Sequence, residues 1–445
     1  MNEQKHVVIV GGGLVGSLEA LFCAQRSYKV DVFEYRPDPR LQKYVAGKSI
    51  NLALSERGRA ALRSIGAEDY IVKTCIPMYA RMMHSHNGKR TSISYGKNDQ
   101  CILSVDRRKL NEHLITLAEK NTNISYHFQS KFVSSDFDQG KITFEKNGEL
   151  SELYADLIVG CDGAYSAVRQ HLLKTTRMNY SQFYIPHGYK EIEMLPNEHG
   201  EFAMEINYFH IWPRNEFMMI GLPNQDKSFT LTLFMPLDKF DCITSEQDII
   251  NFFEQEFPDS IPLIGRQKLI DDYKKNPVGD TICVKTYPYH YSDKVVILGD
   301  AAHATVPFYG QGMNCGFEDC LVLHEILDKT LDFKTGLEAY SKYRNPDAEA
   351  LIDLSLYNYM ELRAHVNSVW FTLRKKVDSF LQFLFPNTWI PLYSMVTFTR
   401  LRYHHVVERS KKQDMIVKWV VTGICVSALS VSMYYVAKVS IPYFH

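Results

Sequence analysis

The chain has 445 residues, of which 45% are hydrophobic and 23% are charged, so it is long enough for two or three packed units and does not resemble a disordered chain. Its net charge of −1 argues against nucleic-acid binding, which usually requires a basic surface. The nine cysteines are scattered without a C-x-x-C pair, which argues against a disulfide scaffold or zinc site and favours a reducing compartment. A strand-like pattern from His6 onward predicts no signal peptide.

The first thirty-six residues have the pattern of a dinucleotide-binding unit. Strand, helix and strand are predicted, in that order, at His6–Val10, Leu14–Gln25 and Lys29–Phe33. Gly11-x-Gly13-x-x-Gly16 lies between the first strand and the helix, and Glu34 follows the second strand, where an acid can bind a ribose hydroxyl. The motif does not distinguish FAD from NAD. Arg36 is either a phosphate partner or a solvated loop charge.

A hairpin is the next feature that bears on function. After a helix that Ser55 caps, residues 76–96 alternate like exposed hairpin strands, with Arg81 and Tyr95 on the two arms. Without further information these two are an ordinary surface cation and a sheet tyrosine. His84 and His86 have no accompanying carboxylate or thiol cluster, so no metal site is predicted there.

A second acidic turn is predicted further along. Ser104 or Asp106 can cap a helix whose first turn contains Arg107, a position that suits the helix dipole poorly and therefore favours a ligand role. Three strands then follow, at Ile124–Phe128, Lys141–Glu145 and Leu153–Val159. The last of them leads into GCDGAYSAVR, in which Asp162 and Gly163 form a tight turn.

Residues 202–236 have the pattern of a β-meander and are the natural second domain. In SFTLTLFMP the apolar residues alternate, which predicts a half-buried antiparallel strand whose inward face carries Phe229, Leu231, Leu233 and Met235. From Phe317 to about Val407 the chain is predicted to be helical, with interruptions at Pro346, Pro386 and Pro391.

The most informative stretch is KVVILGDAAHATVPFYGQGMNCGFEDC, residues 294–320. It predicts a buried strand, an acidic turn at Asp300, a broken loop and a helix. Gly310, Gly312 and Gly316 let the backbone approach a ligand, and the new helix directs free N–H groups at it. Asp300 is placed to accept a hydrogen bond from a ribose or ribityl hydroxyl. The alternative is an ordinary strand-to-helix crossover.

The C-terminal end is apolar. Trp419–Ala437 has no charged residue, and as a helix it spans roughly 28 Å, close to the thickness of a bilayer core. Lysines flank it at positions 411, 412, 418 and 438. A transmembrane helix is predicted; the alternative is a buried or interfacial helix.

The three glycine-containing turns must meet around one long cofactor. Together with Arg107-x-x-Leu110-x-x-x-Leu114, they resemble the single-component FAD-dependent aromatic hydroxylases of the p-hydroxybenzoate hydroxylase type, over residues 7–340. That resemblance implies an α/β fold: a Rossmann-like FAD-binding domain interleaved with an antiparallel β-sheet substrate domain, then a C-terminal helical region and the transmembrane helix. The corresponding residues are 1–75, 100–178 and 290–330 for the FAD domain, 76–99 and 179–289 for the substrate domain, 331–410 for the helical region and 416–438 for the anchor.

Longer segments resemble the branch of this family that hydroxylates kynurenine. They are GKSINLALSERGR, IPMYARMMHS, YIPHGYKE, HIWPRNEFMMIGLPN, VPFYGQGMNCGFEDC and YNYMELRAHVNS. The resemblance implies that NADPH reduces FAD, that O2 adds to it, and that a C4a-hydroperoxyflavin hydroxylates L-kynurenine ortho to the amine. No side chain then acts as nucleophile or base, and no metal is needed. It also implies anchoring in the mitochondrial outer membrane with the catalytic part in the cytosol.

The same resemblance implies site residues. Those for FAD are Gly11, Gly13, Val15, Gly16, Glu34, Arg36, Ala53, Arg107, Asp162, Gly163, Asp300, Pro307, Gly310, Gly312, Met313 and Asn314. Those for the substrate are Arg81, Tyr95, Phe308, Gln311, Asn358, Glu361, Leu362 and Tyr393. Arg81 and Tyr95 would hold the substrate carboxylate. Leu362 departs from the branch, which usually has Met there, but the similar volume should preserve the pocket.

Three alternatives stay open on the sequence. The chain is a hydroxylase of another aromatic acid, an epoxidase of a membrane lipid, or a non-catalytic binding protein on the scaffold of the GDP-dissociation inhibitors. The acidic turns at Asp162 and Asp300 argue against the last of these.

Overall fold

The computed structural model of the chain describes residues 4–42, 51–95, 100–363, 369–386 and 388–440. Residues 43–50, 96–99 and 364–368 of the predicted motifs and domains, and the side chain of Leu362, lie outside this description. The strands of the described part are β1 (His6–Val10), β2 (Lys29–Glu34), β3 (Asn51–Leu54), β4 (Ile76–Met78), β5 (Ala80–His84), β6 (Arg90–Ser94), β7 (Ile102–Asp106), β8 (Ile124–Phe128), β9 (Lys131–Asp136), β10 (Lys141–Lys146), β11 (Glu149–Tyr154), β12 (Leu157–Gly160), β13 (Asn179–Met194), β14 (Tyr208–Arg214), β15 (Phe217–Pro223), β16 (Phe229–Pro236), β17 (Gly279–Tyr287), β18 (His290–Tyr291) and β19 (Val295–Ile297).

The helices of the described part are α1 (Leu14–Gln25), α2 (Glu56–Ser64), α3 (Glu68–Val72), α4 (Arg107–Ala118), α5 (Ala167–Thr175), α6 (Leu237–Cys242), α7 (Glu246–Glu256), α8 (Ile261–Ile264), α9 (Arg266–Lys275), α10 (Asp300–His303), α11 (Gly312–Leu327), α12 (Phe333–Arg363), α13 (Val369–Leu384), α14 (Leu392–Phe398) and α15 (Tyr403–Ser440). Short 3-10 turns occur at Pro39–Leu41 and Pro307–Tyr309. The predicted strand–helix–strand opening is confirmed, and Asp106 rather than Ser104 caps α4, with its carboxylate accepting from the Lys109 amide.

A six-stranded sheet in the order β18-β19-β12-β1-β2-β8 forms the first layer. Its strands pair in parallel except for β18, and β1 lies between β12 and β2. Val7, Val8 and Ile9 are fully buried because α1 covers one face and the small sheet β9–β11 covers the other. The carboxyl ends of β1, β12 and β19 therefore lie side by side, where the predicted ligand turns begin.

The second layer is a seven-stranded sheet in the order β17-β13-β16-β15-β14-β5-β6. It is antiparallel except where β14 pairs in parallel with β5. One face packs on α6–α9, and the other packs on the segment of Val306 and Phe308 and on α12. The prediction that β16 is half-buried is wrong: Leu231 and Leu233 pack on the helices, while Thr232 and Phe234 on the opposite face are also buried.

Two further sequence predictions need correction. Residues 153–159 do not form one strand, because the chain leaves β11 at Tyr154 and enters the parallel sheet as β12. The hairpin region is also less exposed than predicted: β4 joins a separate sheet with β3 and β7, and only β6 of the pair β5–β6 is exposed. β5 is buried since it extends the second layer beside β14.

Pro346 does not interrupt the helical region, contrary to prediction, but lies inside α12. The helix loses one backbone hydrogen bond there. Tertiary packing offsets this loss, because Ala348, Leu351 and Ile352 in the following turn are buried. Arg344, just before the proline, is also fixed by buried ion pairs.

α15 contains a long apolar stretch. Within Tyr403–Val436 an 18-residue stretch reaches a mean hydropathy of 1.8, and none of that stretch is buried against the rest of the protein. The start of α15 differs, because Tyr403 and Val406 are buried. Its length and composition are sufficient to cross a membrane, which is consistent with membrane anchoring.

Candidate active site

A cavity of about 890 Å³ lies between the two sheet layers, and all three predicted turns line it. Gly11 and Gly13 follow β1, Asp162 and Gly163 follow β12, and Asp300 follows β19. The cavity then extends along the seven-stranded sheet towards Arg81. A space of this size is at the upper end of those that proteins use for small molecules and cofactors.

The glycines of the first turn let it pack closely against β12 and α1. Gly11 has φ +105°, and a Cβ there would lie 2.5 Å from the Cys161 carbonyl oxygen. A Cβ on Gly16 would lie 1.9 Å from the Gly11 carbonyl oxygen, so Gly16 permits α1 to pack on the turn rather than lining the cavity. Glu34 fixes the turn, since its carboxylate accepts from the Gly12 amide at 2.8 Å and from the Arg36 Nε at 2.9 Å.

The second turn holds a carboxylate with one unused oxygen. Oδ2 of Asp162 accepts from the Ala167 and Val168 amides at 2.6 and 3.1 Å, which caps α5. Oδ1 is buried without a hydrogen-bond partner among the described residues. Burial raises the pKa of Asp162, although the capping amides oppose that shift. An acceptor left free at a cavity wall suits a ligand hydroxyl or N–H group.

The third turn places Asp300 at the cavity floor. Protein surrounds its carboxyl group, but the group remains open to the cavity. Burial raises the pKa of Asp300, and the nearby charge of Arg107, which also lines the cavity, opposes this. Gly310 then takes a left-handed conformation, φ +64°, and α11 begins with Gly312 and Met313 at the cavity.

These features fit FAD. The N-termini of α1 and α11 both open on the cavity, and each offers unpaired backbone N–H groups and a positive dipole end to a diphosphate. A Cβ on Gly13 would meet no atom within 4 Å, so a ligand has room in front of α1. Asp162 and Asp300 supply acceptors along the same wall.

Asn314 braces this wall and does not line the cavity. It is fully buried, its Oδ1 accepts from the Ser55 amide at 2.8 Å, and its Nδ2 donates to the Ala53 and Gly310 carbonyls at 2.8 Å each. It therefore ties β3 to the start of α11. The remaining predicted FAD residues that line the cavity are Val15, Arg36, Ala53 and Pro307.

Arg81 lies at the end of the cavity, surrounded by aromatic rings. Its guanidinium carbon is 3.9 Å from the ring centroid of Tyr393, and the rings of Tyr393 and Tyr95 stack at 5.5 Å. The Arg81 Nε and the Tyr95 hydroxyl are buried without a hydrogen-bond partner in the described part of the chain. Burial alone would lower the pKa of Arg81, but Tyr393, Tyr95 and Glu361 raise it, so the cation is retained.

The other predicted substrate residues divide between the cavity wall and the side chains behind it. Phe308 lines the cavity and stacks on Tyr359 at 3.8 Å. Asn358 is buried and donates to the Phe308 carbonyl at 2.8 Å, while the Gln311 Oε1 accepts from the Tyr403 hydroxyl at 3.1 Å. In this arrangement Asn358 and Gln311 position their neighbours. Glu361 is buried within electrostatic range of Arg81.

Sequence reasoning missed an apolar wall of the cavity. It consists of side chains from β14, β15 and β16, namely Phe209, Met218, Ile220, Leu222 and Phe234. One sequence feature could have predicted this wall. Phe234 lies between the inward residues Leu233 and Met235, so β16 carries large apolar side chains on both faces. This wall faces Phe308, with the rings of Phe234 and Phe308 4.9 Å apart.

A buried ionic network, also missed, joins the cofactor helix to the C-terminal segment. Arg57 donates to both oxygens of Glu318 at 3.0 Å, to the Val396 carbonyl at 3.2 Å and to the Leu401 carbonyl, and it lies 3.8 Å above the Tyr403 ring. Arg344 bonds to Glu318 and Asp319 from α12. α2, α11, α12 and the start of α15 are thus held together beneath the cavity.

Among the described residues, two buried groups contain residue types that bind metals: Glu19, Cys23 and His324, and His303, Cys315 and Asp319. In the second, both Asp319 oxygens are already used, by the Gly299 amide, His303 and Arg344. Burial alone would raise the pKa of Asp319, but His303 and Arg344 lower it to about 2. A metal ion would meet the adjacent Arg344 cation, so the arrangement suits an ion pair better, and the expected absence of a metal stays a prediction.

Comparison with known proteins decides the family. A family model described as an FAD binding domain matches residues 4–355. Kynurenine 3-monooxygenase of Sus scrofa is 50% identical over 417 residues, covering 93% of this chain and 88% of that protein. The enzyme of that name from Caenorhabditis elegans is 44% identical, covering 95% and 96%. The chain belongs to the kynurenine 3-monooxygenase family.

Membership of this family makes the chain an FAD-dependent monooxygenase that uses O2, and the alternative of a non-catalytic scaffold protein is wrong. Solved structures agree on the fold. The tetrameric form of 2-methyl-3-hydroxypyridine-5-carboxylic acid oxygenase has a TM-score of 0.69 at 20% identity, covering 82% of this chain and 95% of that one. Pseudomonas aeruginosa PqsL in complex with 2-aminobenzoylacetate has a TM-score of 0.66 at 16% identity, covering 81% and 97%.

Asp300→Ala is expected to weaken FAD retention. The variant loses an acceptor at the cavity floor, a change worth on the order of 1–3 kcal/mol. Flavin absorbance per protein after gel filtration at micromolar concentration measures the effect. Asp293→Ala, seven residues earlier on an exposed turn, is the matched control. Full flavin occupancy in the Asp300 variant would contradict the role proposed for this carboxylate.

Proposed function

We propose that the chain hydroxylates L-kynurenine to 3-hydroxy-L-kynurenine, with NADPH as the electron donor. The observation that carries this proposal is Arg81, a buried cation at the end of the cavity away from the flavin turns, where it lies beside the rings of Tyr393 and Tyr95 and near the apolar wall. An amino acid with an aromatic ring matches that distribution: its carboxylate pairs with Arg81 and its ring lies against the apolar wall. FAD, when bound, supplies the redox chemistry by accepting electrons from NADPH and activating O2.

The chain's own residues bind, orient and exclude water. Arg81 is proposed to form a charge-assisted pair with the substrate carboxylate, and Tyr95 and Tyr393 to fix the guanidinium in place. Phe308 and Phe234 then hold the ring so that one carbon faces the flavin. The apolar wall keeps water from the reacting atoms, which limits wasteful release of hydrogen peroxide.

The cofactor roles are proposed on the same basis. Gly11, Gly13, Gly310 and Gly312 give FAD access to the two helix N-termini, and Asp162 and Asp300 accept from its hydroxyl or N–H groups. We also propose the division into an FAD domain, a substrate domain and a C-terminal helical region. The two sheet layers support the first two units, and the helices α12–α15 support the third.

Substrate-stimulated NADPH oxidation across a panel of aromatic amino acids and acids tests the function. L-Kynurenine is expected to stimulate oxidation most strongly and to yield the 3-hydroxy product in near-equal amount to the NADPH consumed. p-Hydroxybenzoate and tryptophan serve as controls that keep a carboxylate and a ring but change their separation. Stimulation by another panel member, with none by kynurenine, would overturn the substrate assignment and retain the flavin chemistry.

We further propose that α15 anchors the chain in the mitochondrial outer membrane with the catalytic layers in the cytosol. The modest hydrophobicity of the stretch and the lysines on both sides support this membrane. Alkaline carbonate extraction of membranes is expected to leave the full-length protein in the pellet. Release into the supernatant would contradict the proposed anchor. Co-fractionation with reticulum markers would contradict the assignment to this organelle.

A further inference from the structure

An exposed aromatic surface lies beside the base of the apolar helix. We call it the α13 stripe: Leu373, Phe380, Phe383, Leu384 and Phe385. Phe383 is 82% exposed and Phe380 60% exposed. Phe380 and Leu384 lie seven and eleven residues after Leu373, so these three residues share one face of α13. Soluble surfaces seldom leave so many large apolar side chains together without a partner.

Hydrogen bonds fix α13 and the segment that follows it to the part of α15 that precedes the apolar stretch. Arg374 donates to Asp414 at 2.7 Å, and Arg409 donates to the Thr388 carbonyl at 2.7 Å. Asp414 is five residues from Trp419, which is roughly 8 Å along a helix. Met415 and Ile416, both exposed, continue the apolar surface from the level of Arg374 towards Trp419.

Charges around the stripe are mostly positive. Four exposed lysines, at positions 376, 411, 412 and 418, outnumber the exposed acids Glu408 and Asp414. Asp414 is in addition paired with Arg374. Lysines with apolar stems beside aromatic rings are typical of surfaces that enter the headgroup region of an anionic bilayer.

We propose that the α13 stripe is a second membrane contact, which lies in the headgroup region of the bilayer that α15 spans. Continuity with the apolar part of α15 and the surrounding lysines favour a lipid surface over a second copy of the chain or another protein. This inference rests on the proposed anchor. In the chain, α13 lies between Asn358 and Tyr393. Membrane contact at α13 therefore restrains the segment that places Tyr393 against Arg81.

Depth-dependent fluorescence quenching tests the proposal in the full-length chain. The two exposed cysteines are first replaced, as Cys242→Ser and Cys425→Ser, because the other cysteines are buried or half-buried. A single added cysteine, Phe383→Cys, carries an environment-sensitive fluorophore, and the protein is reconstituted in vesicles of phosphatidylcholine and phosphatidylserine. Leu150→Cys, an exposed apolar position on β11, is the matched control, and Val431→Cys reports the anchor itself. Flavin absorbance confirms that each labelled protein is folded.

The label at position 383 is expected to lose most of its emission to lipids with a nitroxide near the headgroup, while the label at position 150 loses none. The label at position 431 is expected to respond to a nitroxide deep in the acyl chains. Quenching at 431 without quenching at 383 contradicts membrane contact by the α13 stripe but supports the anchor. Absence of quenching at both overturns the anchor and the stripe together. A label at 383 that is shielded from soluble quencher but not reached by lipid nitroxide indicates a protein partner and also overturns the proposal.

Discussion

Arg81→Ala is expected to weaken L-kynurenine binding about ten- to a hundred-fold and to leave NADPH oxidation nearly unstimulated. The guanidinium is the buried cation of the cavity, and a charged hydrogen bond is worth roughly 1.5–3 kcal/mol. Without it the ring also loses its orientation, so more hydrogen peroxide should form for each NADPH consumed. Equilibrium binding followed by flavin fluorescence, together with peroxide assays, measures both effects.

Two variants separate the cation's geometry from its charge. Arg81→Lys keeps the charge but loses the planar fork, so an intermediate loss of binding and coupling is expected. Arg90→Ala on the adjacent strand β6 removes an exposed ion pair with Glu205 and should leave both readouts unchanged. Wild-type affinity and coupling in Arg81→Ala would refute the proposed carboxylate site.

Arg57→Ala is expected to destabilise the protein by about 3–5 kcal/mol, because it leaves buried acceptors and the Glu318 carboxylate without a main partner. The unfolding midpoint should fall by roughly 3–5 °C. Flavin release during heating is a suitable measure, since α11 carries both Glu318 and part of the cofactor wall.

Arg59→Ala is the matched control for this variant. Arg59 lies two residues later on α2, its side chain is 32% exposed, and it pairs with Glu68. Such a pair is worth about 0–1 kcal/mol, so the midpoint should change little. Equal midpoints for the two variants would show that the buried network contributes no more than a surface ion pair.

The parts of the site that sequence could predict are those set by local chemistry. The opening strand, turn and helix were predicted with correct bounds, because the glycine spacing and the apolar run leave few alternatives. The turns at Asp162 and Asp300 were predicted at the ends of strands, and parallel pairing of β1, β12 and β19 brings them together. That the turns meet was inferred from the requirement for one common ligand, whereas the order of the strands was not predicted.

The rest depends on tertiary contacts that a single sequence does not display. The second face of β16 was missed because Thr232 resembles a solvent-facing residue, although in the fold it is buried and lines the cavity. Pro346 was predicted to break a helix, since its local cost is visible while the packing that offsets it is not. Arg57 lacked any pattern to identify it, because Val396, Leu401 and Tyr403 reach it from more than three hundred residues away.

The position of Tyr403 has a consequence for biosynthesis. This residue, on the first turn of α15, contacts both Arg57 and Gln311, so the packing beneath the cavity is complete only after nearly the whole chain has been made. The first layer is interrupted between α5 and β18, and synthesis of the residues from Thr175 to Tyr403 takes roughly 10–45 s. The part of the protein that lines the flavin turns therefore stays incomplete until the segment immediately before the apolar helix has been synthesised. Synthesis of the apolar helix and completion of the contacts beneath the cofactor cavity must therefore follow one another closely at the end of translation.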